Sequence, residues 1–202
     1  MNESGEGITI PPALVEVPAS TSSLPREFRE VPGEYVPVFI AVPRERAGKY
    51  GKEGIKIGNN ARESRQPVLE RIFNEEAGNI GVSVRRTRCI FAYPRNPESI
   101  HNRLGFDPKT DILVEAMINP ETAMVTNAEY YTEAASRLDM GEDASREWAR
   151  TYWQEVRSMR QYLAEGHDGS EDDHNDFTFP EVLIPEDIPV TRLRIAKVQP
   201  ET

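Results

Sequence analysis

The chain has 202 residues, 38% hydrophobic and 29% charged, with 34 acidic against 24 basic side chains and a formal net charge of −10. That length suits one domain able to bury a core without metal or disulfide staples. The acidic surplus argues against a nucleic-acid binder built on phosphate neutralisation, and one cysteine, Cys89, excludes an intrachain disulfide. No apolar run approaches the roughly 20 residues of a membrane span, so no membrane partner is expected. The start is acidic and Pro-rich without the apolar stretch of a signal peptide, and a cytoplasmic location is the expectation.

Residues 1–34 carry five prolines and a Ser/Thr cluster at Ser20–Ser23, which reads as an extended arm. The domain is expected over 35–202. Val36 to Val42 is β-rich and ends at Pro43, and Pro37 argues for a strand start or an edge position. A short helix follows over Arg44–Glu53 with Gly54 at its C-terminal cap, then a short strand at Ile55–Ile57 and a turn at Gly58–Asn60. Pro67 opens a helix to about Ala77, with Val68, Ile72 and Phe73 on one face and Leu69 beside it. Val82–Tyr93 reads as a strand region containing Cys89, either a buried strand cysteine or, beside its arginines, a low-pKa thiol. Arg85, Arg86 and Arg88 in it either line a phosphate-bearing path or form an exposed strand face.

Pro97–Leu104 is expected to be a short helix, Ile112–Ile118 and Ala123–Thr126 strands, and Glu129–Leu138 a helix. Trp148, Tyr152, Val156, Met159 and Leu163 recur at helical spacing, which predicts one long helix over Ala144–Ala164. Its arginines, Arg146, Arg150, Arg157 and Arg160, lie off that stripe, as a solvated face or a surface for a phosphate-bearing partner. Glu165–Asp176 is acidic and reads as a mobile loop. Its His167, Asp168, Asp172 and His174 match no firm metal-ligand spacing, so no metal is expected. Phe177–Ile184 and Val190–Val198 are the final strands. Without a regular alternation of strand and helix, the order predicts an α+β fold.

The phosphate-cradling, dinucleotide, zinc-protease, CxxC and nucleophile-elbow motifs are all missing. Three segments stand out instead: Val38–Pro43 leading to Glu53-Gly54-Ile55, Ile90–Pro97, and Pro180–Pro185 with Ile188-Pro189. A strand, a short helix, an "EGI" turn, a later aromatic strand and a terminal "EVLIP…IP" strand resemble the ADP-ribosyltransferase-like superfamily. The Phe91–Pro97 segment and the Asp111–Ala134 stretch are similar to those of DarT-type toxins, which ADP-ribosylate DNA.

The resemblance implies a split β-sheet core with flanking helices, and NAD as substrate. It places Glu181 as the catalytic carboxylate, Arg95 as the clamp on the pyrophosphate, Tyr93 as a ring stacked on nicotinamide or adenine, and Phe39 of the first strand as a further cofactor contact. Read from the residues alone, Glu181 is equally an exposed strand-edge residue, Arg95 a turn cap or ion-pair partner, and Tyr93 a core aromatic. Many relatives carry a ribose-binding histidine in the first strand, where this chain has Phe39-Ile40-Ala41-Val42. The expected function is ADP-ribosyl transfer from NAD to a nucleobase or protein acceptor. The alternative is a non-catalytic binding or inhibitor protein on the same fold, meeting a basic protein partner through its acidic surface.

Overall fold

The structure, a computed structural model, describes residues 34–57, 66–94, 107, 109–167 and 179–196. Expectations for residues 1–33, for the turn at 58–60, for Arg95, for the helix at 97–104 and for 168–176 lie outside these residues. The described residues form a mixed helix-and-sheet, α+β architecture with two antiparallel sheets.

Strand β1 (Val36–Pro43) buries Val38, Ile40 and Val42 and turns the residues between them outward. This is the two-residue alternation of a strand with one face on a core. It pairs antiparallel with β3 (Asp111–Ile118), from Val36 opposite Ile118 to Pro43 opposite Asp111. On its other side β3 pairs with β7 (Leu193–Ile195), giving the order β1-β3-β7. Pro37 thus sits on an outer strand, as its missing N–H requires.

The second sheet has the order β2-β6-β4-β5, from β2 (Ile90–Ala92), β6 (Pro180–Ile184), β4 (Met124–Asn127) and β5 (Arg157–Ser158). All five residues of β6 are buried, because core lies on both of its faces. Among the described residues, the two sheets meet at one bridge. The Phe39 N–H donates to the Tyr93 carbonyl at 2.8 Å, and the Tyr93 N–H donates back to the Phe39 carbonyl at 2.7 Å.

Two large cores result. One joins Val38, Ile40, Val114 and Ala116 of the first sheet to Ala92, Val125, Val182 and Ile184 of the second. The other lies between the second sheet and helices α2 (Pro67–Asn79), α3 (Glu129–Ser136) and α4 (Glu142–Gln154). In α2, Leu69, Ile72, Phe73 and Ala77 face that core, whereas Val68, expected on the apolar face, is 41% exposed.

Three expected elements are corrected. The long helix over 144–164 is broken: α4 ends at Gln154, β5 pairs Arg157 with Val125 and Ser158 with Met124, and a new helix α5 spans Met159–Ala164. The Ser158 hydroxyl accepts the Gln161 N–H at 3.1 Å and caps that new start. The apparent stripe belongs to two cores, with Tyr152 in the helical one and Met159 in the one between the sheets, while Leu163 is 41% exposed. The strand expected over 82–93 is confined to β2, preceded by a 3₁₀ turn at Arg86–Arg88 that carries Arg86 inward. Another 3₁₀ turn at Val190–Arg192 shortens the last strand to β7. His167, expected in a mobile acidic loop, is buried and stacks on Tyr162 with ring centroids 4.9 Å apart.

Helix α1 (Arg44–Glu53) stops at Gly54, whose N–H donates to the Tyr50 carbonyl. Its φ of 75° lies in the left-handed region, and a Cβ there would meet the Ile188 carbonyl oxygen at 2.3 Å. That oxygen accepts the Ile55 N–H at 2.8 Å in the pair that ties Ile55 to Ile188. Gly54→Ala therefore combines backbone strain with a strained or broken bridge, and should cost about 2–4 kcal/mol. Equilibrium unfolding in urea measures it; a loss below about 1 kcal/mol would show that the turn relaxes freely.

Candidate functional site

Glu181 is the second residue of β6, opposite Thr126 of β4. Alternation puts its side chain on the same face as Leu183, toward α2 and α4. The residue is 2% exposed on a central strand, which corrects the strand-edge expectation. Pro180 is compatible with this place because it is the first residue of the strand.

A buried charge cluster surrounds it. Arg86, 0% exposed, donates from Nη1 to Glu181 Oε2 at 2.6 Å. The same Nη1 donates to the Tyr152 hydroxyl, which itself donates to Glu181 Oε2 at 3.0 Å. On α2, the buried Glu70 places Oε2 3.4 Å from Arg86 Nε. Tyr131 of α3 donates to Glu70 Oε1 at 3.0 Å, with Gln66 Oε1 also in reach at 2.8 Å. The guanidinium lies among four rings, with Cζ 4.1 Å from the Tyr131 centroid, 4.7 Å from Phe91, 4.9 Å from Tyr152 and 5.3 Å from Phe73. Ring faces carry negative charge and attract a cation held over them.

Two carboxylates therefore share one guanidinium in a dry, aromatic setting. Burial by itself lowers the Arg86 pKa, but the fields of Glu181, Tyr152 and Glu70 outweigh it and hold the group above its ordinary value. Arg86 is a permanent cation here. Its Nε and Nη2, with Glu70 Oε2, have no hydrogen-bond partner, since the 3.4 Å contact lacks hydrogen-bond geometry. Burial pushes the neighbouring Cys89 thiol up to about 12, with Arg86 opposing that shift and Glu181 and Glu70 adding to it. Cys89 is then a neutral thiol at physiological pH, in keeping with its buried place.

The other expected site residues fall elsewhere. Tyr93 is 7% exposed, and its backbone makes the bridge to Phe39. The Phe39 side chain lies on the outer face of β1, beside Leu113 and Ala196. Phe39 and Glu181 are thus joined through the bridge between the sheets but belong to different side-chain clusters. Arg95 lies outside the described residues. Among the three clustered arginines, Arg85 and Arg88 are exposed, and only Arg86 departs from the exposed-face expectation.

Three of the four arginines expected to form a basic surface are matched with acids, while Arg157 donates to the Glu155 and Val156 carbonyls at 3.0 and 3.4 Å. Arg146 contacts Glu75 at 2.6 Å and Glu76 at 3.3 Å, and Arg150 contacts Glu76 at 3.2 Å. Arg71 bridges Glu75 and Glu142 at 2.9 and 2.7 Å. Hydrogen bonds from Arg71 and Arg146 hold the Glu75 carboxyl below its usual range. Arg160 pairs with Glu121. This network ties α2 to α4 and offers little unopposed positive charge to a phosphate.

No group of three or more His, Cys, Asp or Glu residues among those described is placed to hold a metal ion. No described helix is long and apolar enough to cross a membrane. Sequence reasoning missed Glu70, Tyr131 and the inward turn of Arg86. One signal was available: Glu70 and Glu76 stand at the helical spacing of Leu69, Phe73 and Ala77, on the buried side of α2. The chain matches no family model, no curated protein and no solved structure.

Proposed function

We propose that the protein is an NAD-dependent ADP-ribosyltransferase on an ADP-ribosyltransferase-like split sheet, nearest to the DarT-type toxins. In this reading Glu181 is the catalytic carboxylate and Arg95, Tyr93 and Phe39 serve the NAD. The observation that carries it is a buried carboxylate at the head of the central strand, oriented by Tyr152 and accompanied by the permanent cation Arg86.

The chemistry needs such a group. The bond between nicotinamide and ribose breaks, nicotinamide leaves with the electron pair, and the ribose carbon passes through a state of oxocarbenium character. A carboxylate fixed in a dry site stabilises that positive charge far better than one in water. The acceptor's lone pair then forms the new bond, and Glu181 orients the acceptor or takes its proton. In this reading the NAD runs along the seam where the Phe39–Tyr93 bridge joins the two sheets. Catalysis requires the Glu181 cluster to open to the ribose, because Arg86 and Tyr152 now occupy its approach.

That closure favours a second reading, a non-catalytic binding protein in which Glu181 and Arg86 only hold the fold together. It would use the net charge of −10 to meet a basic partner. Incubating the full chain with millimolar NAD separates the two. Release of free nicotinamide above a heat-inactivated control, with a rise in melting temperature, is the result expected of the transferase. Neither release nor a shift would overturn it and leave the binder.

A further inference from the structure

The geometry points to Glu70 as a positioning residue that divides Arg86 between two carboxylates and so sets how readily Glu181 takes up a proton. Only the activity arm of the test rests on the transferase reading; the placement of charges does not.

Glu70 and Glu181 come from α2 and β6, far apart in sequence, and approach the same guanidinium through different nitrogens. Arg86 Nη1 is drawn to Glu181 at 2.6 Å, whereas Nε stands 3.4 Å from Glu70 Oε2 without hydrogen-bond alignment. Glu70 is kept in place by the Tyr131 hydroxyl on its other oxygen, and the Tyr131 ring lies 4.1 Å from Arg86 Cζ. Among the described residues, the groups facing Glu181 include Arg86 from the 3₁₀ turn, Tyr152 from α4, Thr126 from β4 and Cys89 ahead of β2, with Glu70 and Tyr131 acting across Arg86. Of these, Glu70 is the second carboxylate. Its charge repels the charge of Glu181 and competes for the shared cation. Both effects make Glu181 easier to protonate, so neutralising Glu70 must make it harder.

The test follows the Glu181 carboxyl by carbon NMR in the full chain labelled at glutamate, its signal assigned by its loss in Glu181→Gln. Glu70→Gln should lower the Glu181 midpoint by roughly one pH unit. Glu70→Asp, which keeps the charge but withdraws it by one methylene, should fall between that and the wild type. Should Glu70→Gln fail to fold by circular dichroism, the Asp variant alone decides. A midpoint equal to wild type in the folded variant overturns the inference. The acid limb of the pH profile for nicotinamide release should move by the same amount, which a merely structural Glu70 would not cause. If the midpoint moves and the wild type releases no nicotinamide, the positioning role stands and the transferase reading falls. If nicotinamide is released while midpoint and profile stay fixed, the reverse holds.

Discussion

Arg86→Met should destabilise the fold by about 3–5 kcal/mol, the range seen when one partner of a buried ion pair is removed. The reason is specific to this cluster. Arg86 is the cation that balances Glu70 and Glu181, both at most 2% exposed. Without it two carboxylates remain side by side in an aromatic core, and each must bind a proton or drag in water. Such a loss is a large share of the roughly 5–15 kcal/mol that holds a domain together. Arg86→Lys should recover little, because an ammonium lacks the planar fork and the stacking on Tyr131 and Phe91. Replacing all three charges together, Arg86→Met with Glu70→Leu and Glu181→Leu, should recover most of the stability, since apolar side chains of similar volume need no partner. Urea unfolding with circular dichroism measures the series. A single-variant loss below about 1 kcal/mol would mean that water already reaches the cluster.

Glu181→Gln should reduce nicotinamide release by about 10²–10³-fold, the scale attached to a fixed group that stabilises transition-state charge. Glutamine keeps the shape and can still accept from Arg86 and Tyr152, but it offers no negative charge to the ribose carbon. The variant also leaves Arg86 with Glu70 as its remaining anionic partner, so its melting temperature should fall. Activity must therefore be read well below the variant's own transition. Retention of more than half the wild-type rate in folded protein would remove Glu181 from the chemistry. A loss of stability with no wild-type activity to lose would assign the residue to the fold alone.

How far the sequence foretold this depends on where each residue's partners lie. Strand β1 was legible because Val38, Ile40 and Val42 alternate with outward residues, and its neighbours impose nothing contrary. The Gly54 stop was legible for the same reason: the backbone needs a left-handed residue and the chain supplies glycine. The break between α4 and α5 was not. Trp148 to Leu163 keep helical spacing across it, and the pairing of Arg157 with Val125 overrides that spacing from outside the segment. Ser158 as a cap was the one local sign. The candidate site was half legible. Glu181 was singled out, but its burial depends on β2 and β4 closing on both sides, and no local pattern separates Arg86 from Arg85 and Arg88.

The central place of β6 has a consequence for synthesis on the ribosome. Residues 34–167 emerge first, carrying Glu70, Arg86, β2 and β4, yet the strand that lies between β2 and β4 comes more than a dozen residues later. Until it arrives, the nascent chain holds an open slot in its second sheet and an arginine lacking its nearest counter-charge. The second sheet can close only once β6 has been made, in a step that inserts a strand and settles a charge together.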